Sequence, residues 1–177
     1  MYFVKNIENF NNIDGLLKLN LDTFTDFRGD IWTLYTDCGF LPKFVEDKMS
    51  VSKKHVLRGL HGDSKIDKLI TCLHGEIQLA VLDLRENSNT YGNTQMFHLS
   101  DKRGEAIFVP AGCVNGHLCL SEKCIFFYKW SETYNGADNQ VTIKWNDPSL
   151  NLDWKIKSPI LSTRDQEHAI IHEGVFL

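Results

Sequence analysis

Short apolar or alternating runs, separated by turn residues, recur along the chain from residue 16 to residue 154, and patterns of helical period are scarce. Strands should therefore dominate. Two β-rich runs, residues 68–73 and 76–84, flank His74-Gly75, and a glycine able to take positive φ between them predicts a hairpin. Further strands are expected at 94–99, 106–109, 116–120 and 124–130, with turns at Asn87-Ser88-Asn89, Asp101-Lys102-Arg103-Gly104 and Pro110-Ala111-Gly112. This spacing predicts an all-β jelly-roll sandwich or barrel spanning residues 1–177 as one domain, with a few short helical turns from 158–177 packed across it. In such a barrel, polar residues within apolar strands face a cavity, and His61, Lys68 and Tyr128 are the candidates.

Composition narrows the function. With 177 residues, 42% of them hydrophobic, the chain can bury a core without disulfides or a structural metal, which excludes disorder as its main state. Nineteen Lys and Arg against 23 Asp and Glu leave a net charge of −4, so no basic field favours nucleic acid, and an anionic ligand must be held by a few local cations. The start, Met1-Tyr2-Phe3-Val4-Lys5-Asn6, lacks the basic and apolar segments of a signal peptide, and no run approaches the roughly 20 apolar residues of a membrane span. A soluble, cytoplasmic protein is expected. Its five cysteines form no C-x-x-C pair and predict free buried thiols. The seven histidines include no H-x-H pair followed by a nearby Glu, so no metal site is expected.

A denser signal is the run Ser50-Val51-Ser52-Lys53-Lys54-His55-Val56-Leu57-Arg58-Gly59-Leu60-His61. It is accompanied, in order, by Asp26-Phe27-Arg28-Gly29, Lys68-Leu69-Ile70, Leu82-Asp83-Leu84-Arg85 and Ser88-Asn89-Thr90-Tyr91-Gly92. Val109-Pro110-Ala111-Gly112, Phe127-Tyr128-Lys129, Trp145-Asn146-Asp147-Pro148 and Leu161-Ser162-Thr163-Arg164-Asp165 follow. Together these blocks resemble the dTDP-4-dehydrorhamnose 3,5-epimerase family over nearly the whole chain. The resemblance implies a cupin jelly roll (double-stranded β-helix), a homodimer, and an isomerase that inverts stereocentres beside the ketone of a nucleotide-linked 4-keto sugar without metal or redox cofactor.

That chemistry needs particular residue types. A proton on carbon 3 or carbon 5 is α to the 4-keto group, so its removal gives an enolate and calls for a base, an oxyanion stabiliser and an acid on the opposite face. By resemblance, His61 is the base, Asp165 the carboxylate that orients it, Lys68 the cation at the ketone and Tyr128 the acid. Arg28 and Arg58 match arginines around the substrate diphosphate, whose oxygens suit guanidinium forks. Glu46 stands where many relatives carry Gln, replacing a donor and acceptor by an acceptor alone.

The chain departs from the family pattern at Val114-Asn115-Gly116-His117. Rhamnose-pathway enzymes typically read A-H-G-F there, so Asn115 replaces a histidine and His117 an aromatic. Asn115 cannot move protons near neutral pH but can hydrogen-bond a sugar hydroxyl or the ketone. This version looks most like the epimerases acting on GDP-linked 4-keto heptoses in capsular polysaccharide biosynthesis, with a dTDP-4-keto-6-deoxyhexose 3,5-epimerase as the alternative. A sugar-nucleotide 3,4-ketoisomerase is disfavoured because R-G-L-H, F-Y-K and S-x-R-D occur together, a metal-dependent oxygenase because its ligand spacing is missing, and a non-catalytic sugar-binding module because His61, Tyr128, Asp165 and Lys68 are retained together.

Overall fold

The computed structural model describes residues 3–37, 39–134, 136, 139–167 and 169–171. Its strands are β1 (Val4–Asn9), β2 (Leu17–Leu21), β3 (Thr23–Asp26), β4 (Gly29–Trp32), β5 (Glu46–Lys53), β6 (Leu57–Gly62) and β7 (Lys68–His74). They continue as β8 (Glu76–Asp83), β9 (Thr94–Ser100), β10 (Glu105–Val109), β11 (Cys113–Cys119), β12 (Lys123–Trp130) and β13 (Val141–Thr142). A six-stranded sheet in the order β1-β2-β10-β7-β12-β5 and a five-stranded sheet in the order β13-β6-β11-β8-β9 form an antiparallel jelly roll, with β3-β4 as a separate hairpin. The expected all-β class holds. The helical turns among the described residues of the tail reduce to α1 (Thr163–Glu167), while 168 and 172–177 lie outside them. No described helix is long and apolar enough to cross a membrane.

The expected hairpin across His74-Gly75 does not form. β7 pairs with β10 and β12, and β8 with β11 and β9, so the chain crosses from one sheet to the other at Gly75. Gly75 has a φ of +76°, and a Cβ there would lie 2.2 Å from the Ser121 hydroxyl oxygen. The glycine serves a tight crossover rather than a two-strand turn. Both strands are central and covered on both faces, which is why they read as continuous apolar runs.

Three apolar layers account for that burial. Ile70, Leu79, Val81, Ile107 and Phe126 fill the space between the sheets. Ala80, Leu82, Val114 and Leu118 turn outward from the five-stranded sheet onto Leu150 and Trp154, and Leu19, Leu21, Leu69 and Ala106 pack behind the six-stranded sheet. Cys72, Cys113, Cys119 and Cys124 are free and buried, whereas Cys38 is outside the described residues.

One strand inverts the usual pattern. Along β5, Glu46, Lys48, Ser50 and Ser52 are partly or fully covered, while Met49 and Val51 are exposed. Its polar row is registered against Trp130, Tyr128, Phe126 and Cys124 of β12. This edge strand therefore contributes hydrophilic side chains to the interior, and a cavity opens there.

Candidate active site

The cavity has a volume of about 310 Å³ and lies between the sheets. From β6 and β11 come Arg58, His61, Asn115 and His117; from β5, β7 and β12 come Lys48, Ser50, Lys68, Phe126, Tyr128 and Trp130. Ser162, Arg164 and Asp165 close it from the C-terminal segment. Six sequence candidates, His61, Lys68, Tyr128, Asp165, Arg58 and Asn115, thus share one cavity.

A glycine contact sets the wall that carries His61. Gly59 has a φ of +125°, and a Cβ on it would lie 2.4 Å from the Gly116 Cα; a Cβ on Gly116 would lie 2.8 Å from Leu60 Cδ2. Only two residues without side chains allow β6 and β11 this approach, at the irregularity in register between Asn115 and His117. Across it His61 faces Asn115 and Arg58 faces His117 in the ladder.

The His61 ring pairs with Asp165 through Nε2 and Oδ1 at 2.5 Å. Asp165 has a side chain only 2% exposed, at the start of α1. Ser162 Oγ donates to its other oxygen at 2.9 Å and accepts from its backbone N–H at 3.2 Å. Burial works to raise the Asp165 pKa, but the hydrogen bond and charge of His61, the Ser162 hydroxyl and the Gly59 N–H outweigh it and hold the carboxyl below its ordinary value. An ionised carboxylate against an imidazole fixes the orientation of the ring. Arg164 Nε donates to Thr142 Oγ1 at 2.7 Å and so fastens α1 to β13 beside the site.

Lys68 is 3% exposed and donates to Asn115 Oδ1 at 2.9 Å and to the His61 carbonyl at 3.2 Å. Burial pushes its pKa down to about 8, with Asp63 countering. The ammonium therefore keeps its charge near neutrality in a site of low dielectric, where it acts strongly on developing negative charge. Tyr128 sits between Phe126 and Trp130, with ring centroids 5.0 and 5.6 Å away. Burial raises its phenol pKa, so the hydroxyl keeps its proton. His61 and Tyr128 enter the cavity from opposite sheets.

Two expected ligand-binding residues do not line this cavity. Arg28 is on the exposed β3-β4 hairpin, paired with Asp26 through Nη2 and Oδ2 at 2.6 Å. Glu46 is engaged from behind: Lys48 Nζ lies 2.9 Å from one oxygen and the Tyr134 N–H donates to the other at 2.8 Å. These partners hold its carboxyl below the ordinary range. Glu46 instead places Lys48, whose ammonium lies 3.8 Å from the Tyr134 ring centroid and 4.6 Å from that of Trp130. Lys48, Ser50 and Trp130 were legible only through a two-residue period running inward from Glu46 on β5 and Tyr128 on β12, and Tyr134, beyond the end of β12, carried no such signal.

Comparison with known proteins bears on the family of the whole chain. The family described as dTDP-4-dehydrorhamnose 3,5-epimerase matches residues 11–173. The enzyme of that name from Methanothermobacter thermautotrophicus is 33% identical over 92% of this chain and 93% of its own, and that from Escherichia coli 34% identical over 93% and 94%. The crystal structure of the Elizabethkingia anophelis enzyme superposes with a TM-score of 0.88 at 33% identity, covering 98% of both chains. The Legionella pneumophila enzyme, solved with dTDP-4-keto-L-rhamnose, gives 0.87 at 30% identity over 95% of this chain and 93% of its own. With sequence, fold and coverage in agreement, the chain belongs to the dTDP-4-dehydrorhamnose 3,5-epimerase family.

Proposed function

We propose that this protein inverts carbon 3, carbon 5 or both in a dTDP-linked 4-keto-6-deoxyhexose, by proton removal and return through an enolate. The observation that carries the reading is His61 entering from one sheet, backed by Asp165 of α1, and Tyr128 entering from the other, into one cavity with the buried Lys68 ammonium. His61 takes the proton α to the ketone, and Asp165 stabilises the imidazolium that results. Charge moves onto the ketone oxygen, where Lys68 holds it. Tyr128 then gives its proton to the opposite face of the same carbon, and solvent exchange resets both groups. The scheme calls for no metal or redox cofactor, since Lys68 supplies the cation. Arg58, anchored by Ser52 at 3.0 Å, is the guanidinium for the diphosphate.

The choice of dTDP and a 6-deoxyhexose rests on the relatives, whose names carry that substrate. One observation favours a second reading, a GDP-linked 4-keto heptose: Asn115, at the Lys68 ammonium, stands where the family motif has histidine. Incubation with dTDP- and GDP-linked 4-keto sugars in deuterated water, followed by NMR, decides between them. Label and inversion at carbon 3 or carbon 5 of the dTDP sugar are expected. A protein that labels neither sugar is not such an epimerase.

A homodimer belongs to the same proposal. Phe24, Phe27 and Ile31 on the β3-β4 hairpin and Val45, Met49 and Val51 along the β5 edge are all at least half exposed. A second copy is the partner that would cover them. Sedimentation at micromolar concentration should give twice the chain mass, and a monomer there would refute the assembly.

A further inference from the structure

Two imidazoles line the cavity, and the proton-transfer scheme uses only His61. His117 is 3% exposed and lies flat on Phe126, with centroids 4.0 Å apart and planes at 5°. Its Nε2 has no hydrogen-bond partner. Neither has Ser50 Oγ, on the residue registered opposite Phe126, nor Trp130 Nε1. Of the four buried side-chain polar atoms without a partner among the described residues, three thus belong to residues of this one cavity. Folded interiors pair almost all such atoms, so a cluster of unpaired ones around a cavity marks where a ligand supplies the missing partners.

Position indicates which part of a ligand this is. Asn115 and His117 lie on the same face of β11, two residues and therefore roughly 7 Å apart along the strand. Asn115 holds the Lys68 ammonium, while His117 is registered against Arg58. A pyranose with its ketone at Lys68 and its diphosphate at Arg58 spans this interval, which brings carbons 1 and 2 to His117.

We propose that His117 is a specificity-determining residue that hydrogen-bonds the 2-hydroxyl of the sugar, so that the site selects 2-hydroxy over 2-deoxy sugar nucleotides. The inference rests on the sugar-nucleotide reading of the cavity. Burial, together with the charges of Arg58 and His61, pushes the His117 pKa down to about 3, so the ring is neutral, with one N–H donor and one lone pair. That combination suits a hydroxyl, which both donates and accepts, better than a phosphate. A half-turn about Cβ–Cγ keeps the ring plane on Phe126 and changes which edge meets the cavity, so a nitrogen can be presented without losing the stack.

The test is calorimetric binding of dTDP-glucose and GDP-mannose, each beside its 2-deoxy counterpart, to the wild-type protein, His117→Phe and His117→Gln. The wild type should bind the 2-hydroxy ligand at least tenfold more tightly than the 2-deoxy ligand. His117→Phe, which retains the stack, should lose that preference, and His117→Gln should keep part of it. Equal wild-type affinities overturn the proposal whatever the variants do, as does a preference that survives in folded His117→Phe. None of these ligands carries a ketone, so the result is independent of epimerisation, which the deuterium experiment judges separately. If neither pair binds, the sugar-nucleotide reading falls and the proposal with it.

Discussion

Buried Lys68 and half-buried Asn115 form a pair in which the ammonium donates to the amide oxygen at 2.9 Å, with nothing more acidic than an amide as its direct partner. The neutral acceptor orients the charge without cancelling it. In the histidine version of this position, a second titratable group would stand beside the ammonium.

This pair has a pH signature. With its pKa at about 8 in the folded protein against an ordinary 10.5, Lys68 binds fewer protons than in the unfolded chain between those values. Stability from this group is therefore lowest below pH 8 and rises by roughly 3 kcal/mol as pH climbs through the window. Cys72 and Cys113, with thiols pushed up to about 12 by burial, act in the opposite direction above pH 9. The Lys68 contribution is thus read as the difference between wild type and Lys68→Met in urea unfolding at pH 7 and pH 10, and Lys68→Met should lack the gain. Proton exchange should instead decline in wild type as pH rises through about 8, and Lys68→Met should lower it by about 10²–10³-fold.

His61→Asn should reduce deuterium incorporation at every epimerised carbon by about 10³-fold, the scale of losing a positioned general base. Nucleotide-sugar binding should persist, because Arg58 and Lys68 are untouched. Full exchange in a folded His61→Asn protein would place the base elsewhere.

Tyr128→Phe should separate exchange from inversion. His61 can still remove a proton and return it to the original face, while the opposite face lacks a donor. Solvent label should enter at a measurable rate as the configuration changes about 10²-fold more slowly. Equal loss of both signals would show that the phenol also holds the substrate in place.

Asn115→His should shift substrate preference. The ratio of kcat/KM for a GDP-linked 4-keto heptose to that for a dTDP-linked 4-keto-6-deoxyhexose should fall by about tenfold, a usual scale for one altered polar contact in a pocket. An unchanged ratio would remove Asn115 from substrate selection.

Much of this architecture was legible along the chain. The apolar runs at β7 and β8 marked strands, but not their pairing, because continuous burial erases the alternation that shows which face meets which sheet. β5 escaped detection for the opposite reason. Its inward row, Glu46, Lys48, Ser50 and Ser52, is polar and its outward residues Met49 and Val51 are apolar, so a rule that buries hydrophobic side chains assigns each face backwards. The gathering of His61, Lys68, Tyr128 and Asp165 rested on local motifs whose long-range proximity only the two-sheet packing creates. Motif position placed Arg28 and Glu46 near the ligand; within the chain they lie outside the cavity lining, Arg28 against Asp26 and Glu46 against Lys48 and the Tyr134 N–H, contacts that the motifs do not encode.

Gly59 and Gly116 touch where their strands come closest, and that contact divides the cavity wall into parts of unequal freedom. Alanine at Gly59 would need both a φ foreign to it and space already filled by backbone, and should cost about 3 kcal/mol in denaturant unfolding. Asn115 and His117, on either side of Gly116, line the cavity, so a change at either alters its lining rather than the contact between the strands. A lineage of such enzymes could therefore exchange these two residues, proposed above to face the sugar, while His61, two positions from Gly59 on the facing strand, stays where it is. Substrate range and proton chemistry would then evolve on separate clocks.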